Sequence, residues 1–203
     1  MQNELNEIMA KGYPIFPCRP NEKRPMTPNG FKDASNDIYQ IKKWWDDTPS
    51  ANIGLATGID ADLLVIDVDV KDDAQGLASM EALEFELGPL NTRKVITPSG
   101  GYHLYFKHPR DGIKNTIGIR PGIDIKTEGG YVLAAGSVIH GNPYYVQKNI
   151  EPQELPQRWI DLLAQGKPTK QLAAANDTSF DDFDDFPILK GSRNDELFRL
   201  ASS

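Results

Sequence analysis

Short apolar runs alternate along the chain with polar breaks rich in glycine and proline, and the period within each run predicts its element. Leu5, Ile8 and Met9 fall on one face of a helix over 3–11, with Gly12 placed to end it. YPIFP (13–17) predicts a short strand bounded by prolines. The stretch 18–35, rich in Pro, Asn and Gly, predicts a loop that carries Lys23 and Arg24. A helix follows over 36–46, ending in Trp44-Trp45. NIGLA (52–56) and LLVIDVDV (63–70) then predict two strands joined by a Gly-containing turn. Asp72 or Asp73 is suited to cap a helix running to about Leu87, which Gly88-Pro89 closes.

The middle of the chain reads as strand. RKVITP and YHLYFK flank SGG, and GIDIKT and YVLAA flank EGG, so two hairpins are expected. YYVQ (144–147) predicts a further strand. Trp159, Leu162 and Leu163 give the apolar contacts of a helix over 156–164 that closes the core. Helices around a strand-rich middle make the class α+β, with a mixed or antiparallel central sheet. The globular domain is expected over 1–165 and an acidic flexible linker over 166–190. Residues 191–203, GSRNDELFRLASS, read as the start of a further amphipathic helix cut short by the chain end.

The period-two pattern of three strands sorts apolar from ionisable side chains. In 63–70, Leu64, Ile66, Val68 and Val70 share one face, and Leu63, Val65, Asp67 and Asp69 the other. This strand is expected to be buried on both sides until its end, where one face turns acidic. Two carboxylates at i, i+2 lie roughly 6–7 Å apart, and at an effective dielectric near 20 they repel by about 2–3 kcal/mol. A shared proton or a cation removes that strain, and a hard divalent cation held by oxygens fits best. In YHLYFK, Tyr102, Leu104 and Phe106 oppose His103, Tyr105 and Lys107; in IDIK, Ile123 and Ile125 oppose Asp124 and Lys126. If the three strands are neighbours, their ionisable faces converge on one surface with three carboxylates, a histidine and a lysine. That inventory suits phosphoryl transfer, with carboxylates holding two metal ions and cationic groups holding a triphosphate. Each signal also has a plain structural reading: a solvated turn for DxD, a hydrogen-bonded strand histidine for His103, a simple turn for Gly100-Gly101.

Composition narrows the setting. Hydrophobic residues make up 39% and charged residues 25% of 203, as in ordinary globular proteins. No apolar run approaches membrane-spanning length, so a cytoplasmic protein with no membrane partner is expected. The lone Cys18 excludes an internal disulfide and a Cys-rich zinc site within the chain, and reads as a small half-buried hydrophobe. The net charge of −7 argues against a nucleic-acid partner until its distribution is considered. Residues 171–189 carry five aspartates and no Lys or Arg. The stretch 93–126 instead holds Arg93, Lys94, Lys107, Arg110, Lys114, Arg120 and Lys126 against Asp111 and Asp124. A basic middle beside an acidic tail is compatible with a groove for a polyanion.

The order and spacing of these phrases resemble the archaeo-eukaryotic primase superfamily, specifically the bifunctional primase–polymerase (prim–pol) domain of plasmid, phage and prophage replication proteins. The resemblance covers roughly residues 8–165. Three family motifs have similar phrases here: VIDVD, giving Asp67 and Asp69; SGGYHLYF, giving His103; and GIDIK, giving Asp124. NEKRP, GFKDAS, ANIGLATG and GGYVLAAGS stand where similar family phrases occur. The resemblance implies a catalytic core of an RRM-like sheet plus an N-terminal αβ unit. It implies that Asp67, Asp69 and Asp124 bind two Mg²⁺ or Mn²⁺ ions and that His103 contacts the incoming nucleotide's phosphates. Lys126 shares a face with Asp124 and is a further candidate for the triphosphate, as are Lys23 and Arg24 in their loop. Ser99 and the Gly100-Gly101 amides form either an anion-binding nest or a plain turn. Some relatives insert a zinc-binding stem, which a chain with one cysteine does not form in its usual type, so no zinc is expected. The implied partners are single-stranded template and primer DNA, NTP or dNTP, and C-terminal helical and helicase domains absent from this chain. Residues 191–203 resemble the start of the helical one.

The expected activity is therefore template-directed nucleotidyl transfer, with priming and extension. Two other classes use the same residues: a metal-dependent nuclease or phosphohydrolase, and an inert replication-initiator module that holds single-stranded DNA. The full set of three carboxylates speaks against the inert module. Lysines beside the acids suit a triphosphate better than a bare diester.

Overall fold

A computed structural model describes residues 2–71, 75–110 and 112–166. The expectations for 167–203, for Asp72 and Asp73, and for Asp111 lie outside those residues. Helix α1 (Gln2–Ala10) leads to β1 (Ile15–Cys18), a 3₁₀ turn (Gly30–Asp33) and α2 (Ile38–Asp47). Strands β2 (Asn52–Ala56) and β3 (Leu64–Val68) precede α3 (Gly76–Leu87), β4 (Arg93–Ile96) and β5 (Tyr102–Phe106). Then come β6 (Thr116–Arg120), β7 (Ile123–Lys126), β8 (Tyr131–Leu133), β9 (Val138–Ile139), β10 (Asn142–Pro143), β11 (Tyr145–Lys148) and α4 (Gln157–Gln165). The class is α+β, as the sequence pattern predicts.

Every ladder between these strands is antiparallel. The main sheet has six strands in the order β11-β4-β5-β3-β7-β6, and a smaller sheet has the order β1-β2-β8. Strand β3 sits between β5 and β7, so all three strands with an ionisable face are neighbours. Its alternation is borne out on both sides. Leu63 and Val65 join a core with α1, α2 and the small sheet, including Ile15, Phe16, Ile41 and Ile53. Leu64, Ile66 and Val68 join a second core with α3 and α4, including Met80, Leu83, Trp159 and Leu163. A strand buried on both faces is what a near-continuous apolar run encodes.

The SGG hairpin forms between β4 and β5, with Ile96 opposite Tyr102 and the Thr97 N–H donating to the Gly101 carbonyl at 2.9 Å. The EGG hairpin does not form. Strand β7 pairs with β3 in the main sheet and β8 with β2 in the small one, so Glu128–Gly130 carry the chain between sheets. Strand β3 also stops at Val68 rather than 70. There the Asp69 N–H donates to the Gly122 carbonyl at 2.8 Å and its carbonyl accepts from Gly76 at 3.1 Å. Helix α3 starts later than the aspartates suggest, at Gly76, with Gln75 before it and no side-chain cap. Helix α2 does carry its cap, the Asp37 carboxylate accepting from the Tyr39 N–H at 2.9 Å. Strand β6 escapes the pattern because Gly118, at φ +64°, breaks its alternation.

Candidate active site

The acidic end of β3 is positioned by ladder register. Asp67 lies opposite His103 on β5 and opposite Asp124 on β7, so these three side chains form one row across the sheet. Lys126 is opposite Val65, one rung back on the same face. The row adjoins the core that contains Val65 and Tyr105, and the ionisable residues continue that face where its apolar side chains end.

The backbone that carries Asp69 is wrapped by glycines. A Cβ on Gly101 would meet the Val68 carbonyl oxygen, and a Cβ on Gly76 the Asp69 carbonyl oxygen, both well inside van der Waals contact. The Gly100-Gly101 pair therefore does more than turn a hairpin: Gly101 lets β5 start directly against the end of β3.

Two clefts meet at Asp67. One, of about 280 Å³, is lined by Lys23, Asp69, Lys71, Ser99, His140 and Asn142, among others. The other, of about 260 Å³, is lined by Lys23, Lys126, Tyr131 and Leu133 among others. Asp67, His103 and Tyr144 line both. A larger cavity, about 690 Å³, lies elsewhere, by Met26, Lys32 and Trp44, and none of the expected site residues lines it.

His103 is buried. Its Nε2 stands 3.5 Å from Asp67 Oδ1 and its Nδ1 has no hydrogen-bond partner. Burial, assisted by the charges of Lys23 and Lys126, holds the imidazole down at about 3, so the ring is neutral at ordinary pH. The contact with Asp67 is thus between a carboxyl group and a neutral ring. Burial pushes the Asp67 carboxyl up to about 6; Lys126 and Lys23 pull against the rise, while Asp124 and Asp69 add to it. The Tyr144 phenol is also raised by burial and by Asp67 and Asp69, which puts it within the field of both acids.

The other carboxylates are already engaged. Asp124 accepts from the Gly118 N–H and from Lys126 Nζ, each at 2.8 Å. Asp69 lies past the strand end, exposed, where its Oδ1 accepts from the Lys71 N–H at 2.9 Å. Among the described residues no three His, Cys, Asp or Glu side chains converge on one point that could hold a metal ion. The expected triad is therefore present as an opposed pair, Asp67 with Asp124, and a neighbour, Asp69, that shares a cleft wall with Asp67. The donor set is hard oxygen, and two of its carboxylates, Asp67 and Asp124, face each other across one rung of the ladder. Both features fit Mg²⁺ or Mn²⁺ in chemistry. At Asp124 the Lys126 ammonium takes the place of such a cation.

The remaining candidates divide. Lys23 lines both clefts, held by its loop, whose Lys23 carbonyl accepts from the Tyr131 hydroxyl at 3.0 Å. Arg24 is exposed, and its carbonyl closes the loop with the Arg19 N–H. Arg24 is not among the described residues that line either cleft. Ser99 is exposed, lines the first cleft and lies 3.1 Å from the Thr97 hydroxyl. The basic stretch 93–126 is dispersed rather than gathered. Arg93 turns to Glu7, Lys94 lies over the Tyr102 ring, and Lys107 and Arg110 pair with Glu154 and Asp62.

Sequence reasoning misses Tyr144, Lys71, His140 and Asn142. Tyr144 falls inside the strand predicted over 144–147, but β11 begins at Tyr145. The Tyr144 backbone instead bonds both ways to the Gly136–Ser137 turn, which leaves its ring on the site. A tyrosine just after the Gly-Asn-Pro phrase is the only local signal. Cys18 is buried with its thiol raised to about 12, in keeping with the apolar reading. No described helix is long and apolar enough to cross a membrane.

No curated protein matches this chain. The family model for the bifunctional DNA primase/polymerase N-terminal domain matches residues 5–158, which span both sheets and the row Asp124–Asp67–His103. The chain therefore belongs to the bifunctional DNA primase/polymerase N-terminal domain family.

Proposed function

We propose that this domain is a template-directed nucleotidyltransferase that joins an NTP or dNTP to a 3′-hydroxyl on single-stranded DNA, with Asp67, Asp69 and Asp124 as the acidic centre. The supporting observation is the row Asp124–Asp67–His103, flanked by Lys126 and Lys23, at the meeting point of two clefts. In the reaction a 3′-oxygen attacks the α-phosphorus. A new P–O bond forms, the bond to the β-bridging oxygen breaks, pyrophosphate leaves with the electron pair, and the hydroxyl proton passes to solvent.

Asp67, Asp69 and Asp124 would hold divalent Mg²⁺ or Mn²⁺, which would supply charge neutralisation for the attacking and leaving oxygens. The protein's own groups bind and orient. Lys23 and Lys126 provide fixed positive charge for the triphosphate. Neutral His103 offers an N–H to a phosphate oxygen without adding charge, which its burial requires. Ser99 lies within the same cleft and can donate a hydroxyl. Tyr144 forms the shared wall that holds the nucleotide against the acids.

The test is incubation of the full chain with a primed single-stranded template, labelled dNTPs or rNTPs, and Mg²⁺ or Mn²⁺. Elongation that requires template and metal is expected, and it should be lost in Asp67→Ala and Asp69→Ala. Shortened strands without elongation would identify a nuclease instead. Strand binding with neither reaction would identify an inert binding module.

A further inference from the structure

Asp67 and Asp124 stand directly opposite each other on one face of the sheet. Side chains at such positions have Cβ atoms about 4.5–5.5 Å apart, and like charges there are destabilising. The protein relieves the repulsion from within. Lys126, on the same strand as Asp124 and diagonal to Asp67, places its Nζ 2.8 Å from Asp124 Oδ2. The two side chains are 23% and 27% exposed, so solvent screens the pair only partly. The other Asp124 oxygen accepts from the Gly118 N–H. Both oxygens are thus directed at protein donors, and the arrangement that would bind a metal is closed by an ammonium group.

Lys126 also lines the 260 Å³ cleft, beside Lys23 and Tyr131. It is one side chain with two destinations, the carboxylate and the cleft. A lysine suits this better than an arginine, because its charge is compact and its four-carbon stem is flexible. Lys23 lines the same cleft and its charge reaches Asp67, yet among the described residues it forms no ion pair with a carboxylate and so holds none that a metal would release.

We propose that Lys126 is a placeholder cation: it holds Asp124 until a divalent ion displaces it, and its released ammonium then turns into the cleft to hold the triphosphate. This rests on the metal-dependent reading of the site. It makes metal binding and nucleotide binding favour each other through one side chain, and such coupling is reciprocal.

The test is Mn²⁺ affinity of the full chain without nucleotide, measured from the electron paramagnetic resonance signal of free Mn²⁺. Dialysis of dATP at saturating Mn²⁺ gives the second readout. Lys126→Met should bind Mn²⁺ about tenfold tighter than wild type and dATP about tenfold weaker, changes of opposite sign from one substitution. Lys126→Gln keeps a neutral donor to Asp124 and should fall between them. Lys23→Met should change Mn²⁺ affinity by less than about threefold, as expected for a charge without direct contact. Equal Mn²⁺ affinity in wild type and Lys126→Met overturns the placeholder alone, as does an equal gain in Lys23→Met. Absence of Mn²⁺ binding in all four proteins overturns the metal reading, and the placeholder with it.

Discussion

Asp67 and His103 share one rung, and their burial pushes their protonation in opposite directions. The Asp67 carboxyl is raised to about 6, so between about 4 and 6 the folded chain binds more protons than the unfolded one, and this group lowers stability as pH rises. The imidazole is lowered to about 3, so between about 3 and 6.5 the unfolded chain binds more protons, and this group raises stability as pH rises. The two slopes oppose each other over their common window. Replacing Asp67 by Asn removes one of them. Without metal, Asp67→Asn should be more stable than wild type at pH 7 by up to about 3 kcal/mol, from a shift of about two units at 1.36 kcal/mol each. Its stability should also climb more steeply from pH 4.5 to 6.5. Urea unfolding across that range checks both, and parallel curves for the two proteins would contradict them. The same titration predicts that Mn²⁺ affinity of wild type falls below about pH 6, as Asp67 takes up a proton. A flat affinity down to pH 5 would remove Asp67 from the ligand set.

At the scale of elements, the site depends on how closely three backbones approach. Gly76, Gly101 and Gly122 crowd the end of β3, and a Cβ on any of them would meet backbone rather than a side chain that can move. Gly101→Ala should therefore cost more than about 3 kcal/mol, as expected for overpacking against a fixed neighbour. Gly141→Ala, where nothing lies within 4 Å, bears only the strain of φ +80° and should cost about 1 kcal/mol. Thermal unfolding of the two variants ranks them, and equal losses would contradict the crowding account. Alternation in 63–70, 102–107 and 123–126 is enough to sort Asp67, His103 and Asp124 onto one face, because a period of two is local. Which strands pair is not local. The EGG segment looks like a hairpin turn because a two-glycine break does not state which sheet receives the next strand. Tyr144 and Asn142 stay invisible for the same reason: the Gly136–Ser137 turn and the β9–β10 hairpin bring them to the cleft from far along the chain.

For the molecule as a whole, the main sheet separates two cores, and the site lies on the face of only one. Trp159 fills the other, 1% exposed, with its indole N–H donating to the Gly88 carbonyl at 3.1 Å. Trp159→Ala should cost about 3–5 kcal/mol in stability and leave nucleotide KM within about twofold at a temperature where the variant is folded. A large KM change would mean that the second core reaches the site. The cations follow the same division. Charge clustered in sequence over 93–126 is spread in space among local partners, while the site draws Lys23, Lys71 and Lys126 from three separate segments. Composition along the chain therefore locates the basic residues but not the basic surface. The proposed nucleotidyl transfer runs through the Asp67 rung, which one substitution isolates. Primer extension with Mn²⁺ and dNTPs should be reduced at least about a thousandfold in Asp67→Asn, a variant expected to be folded and more stable than wild type. Extension by Asp67→Asn within tenfold of wild type would mean that the Asp67 rung does not carry the reaction.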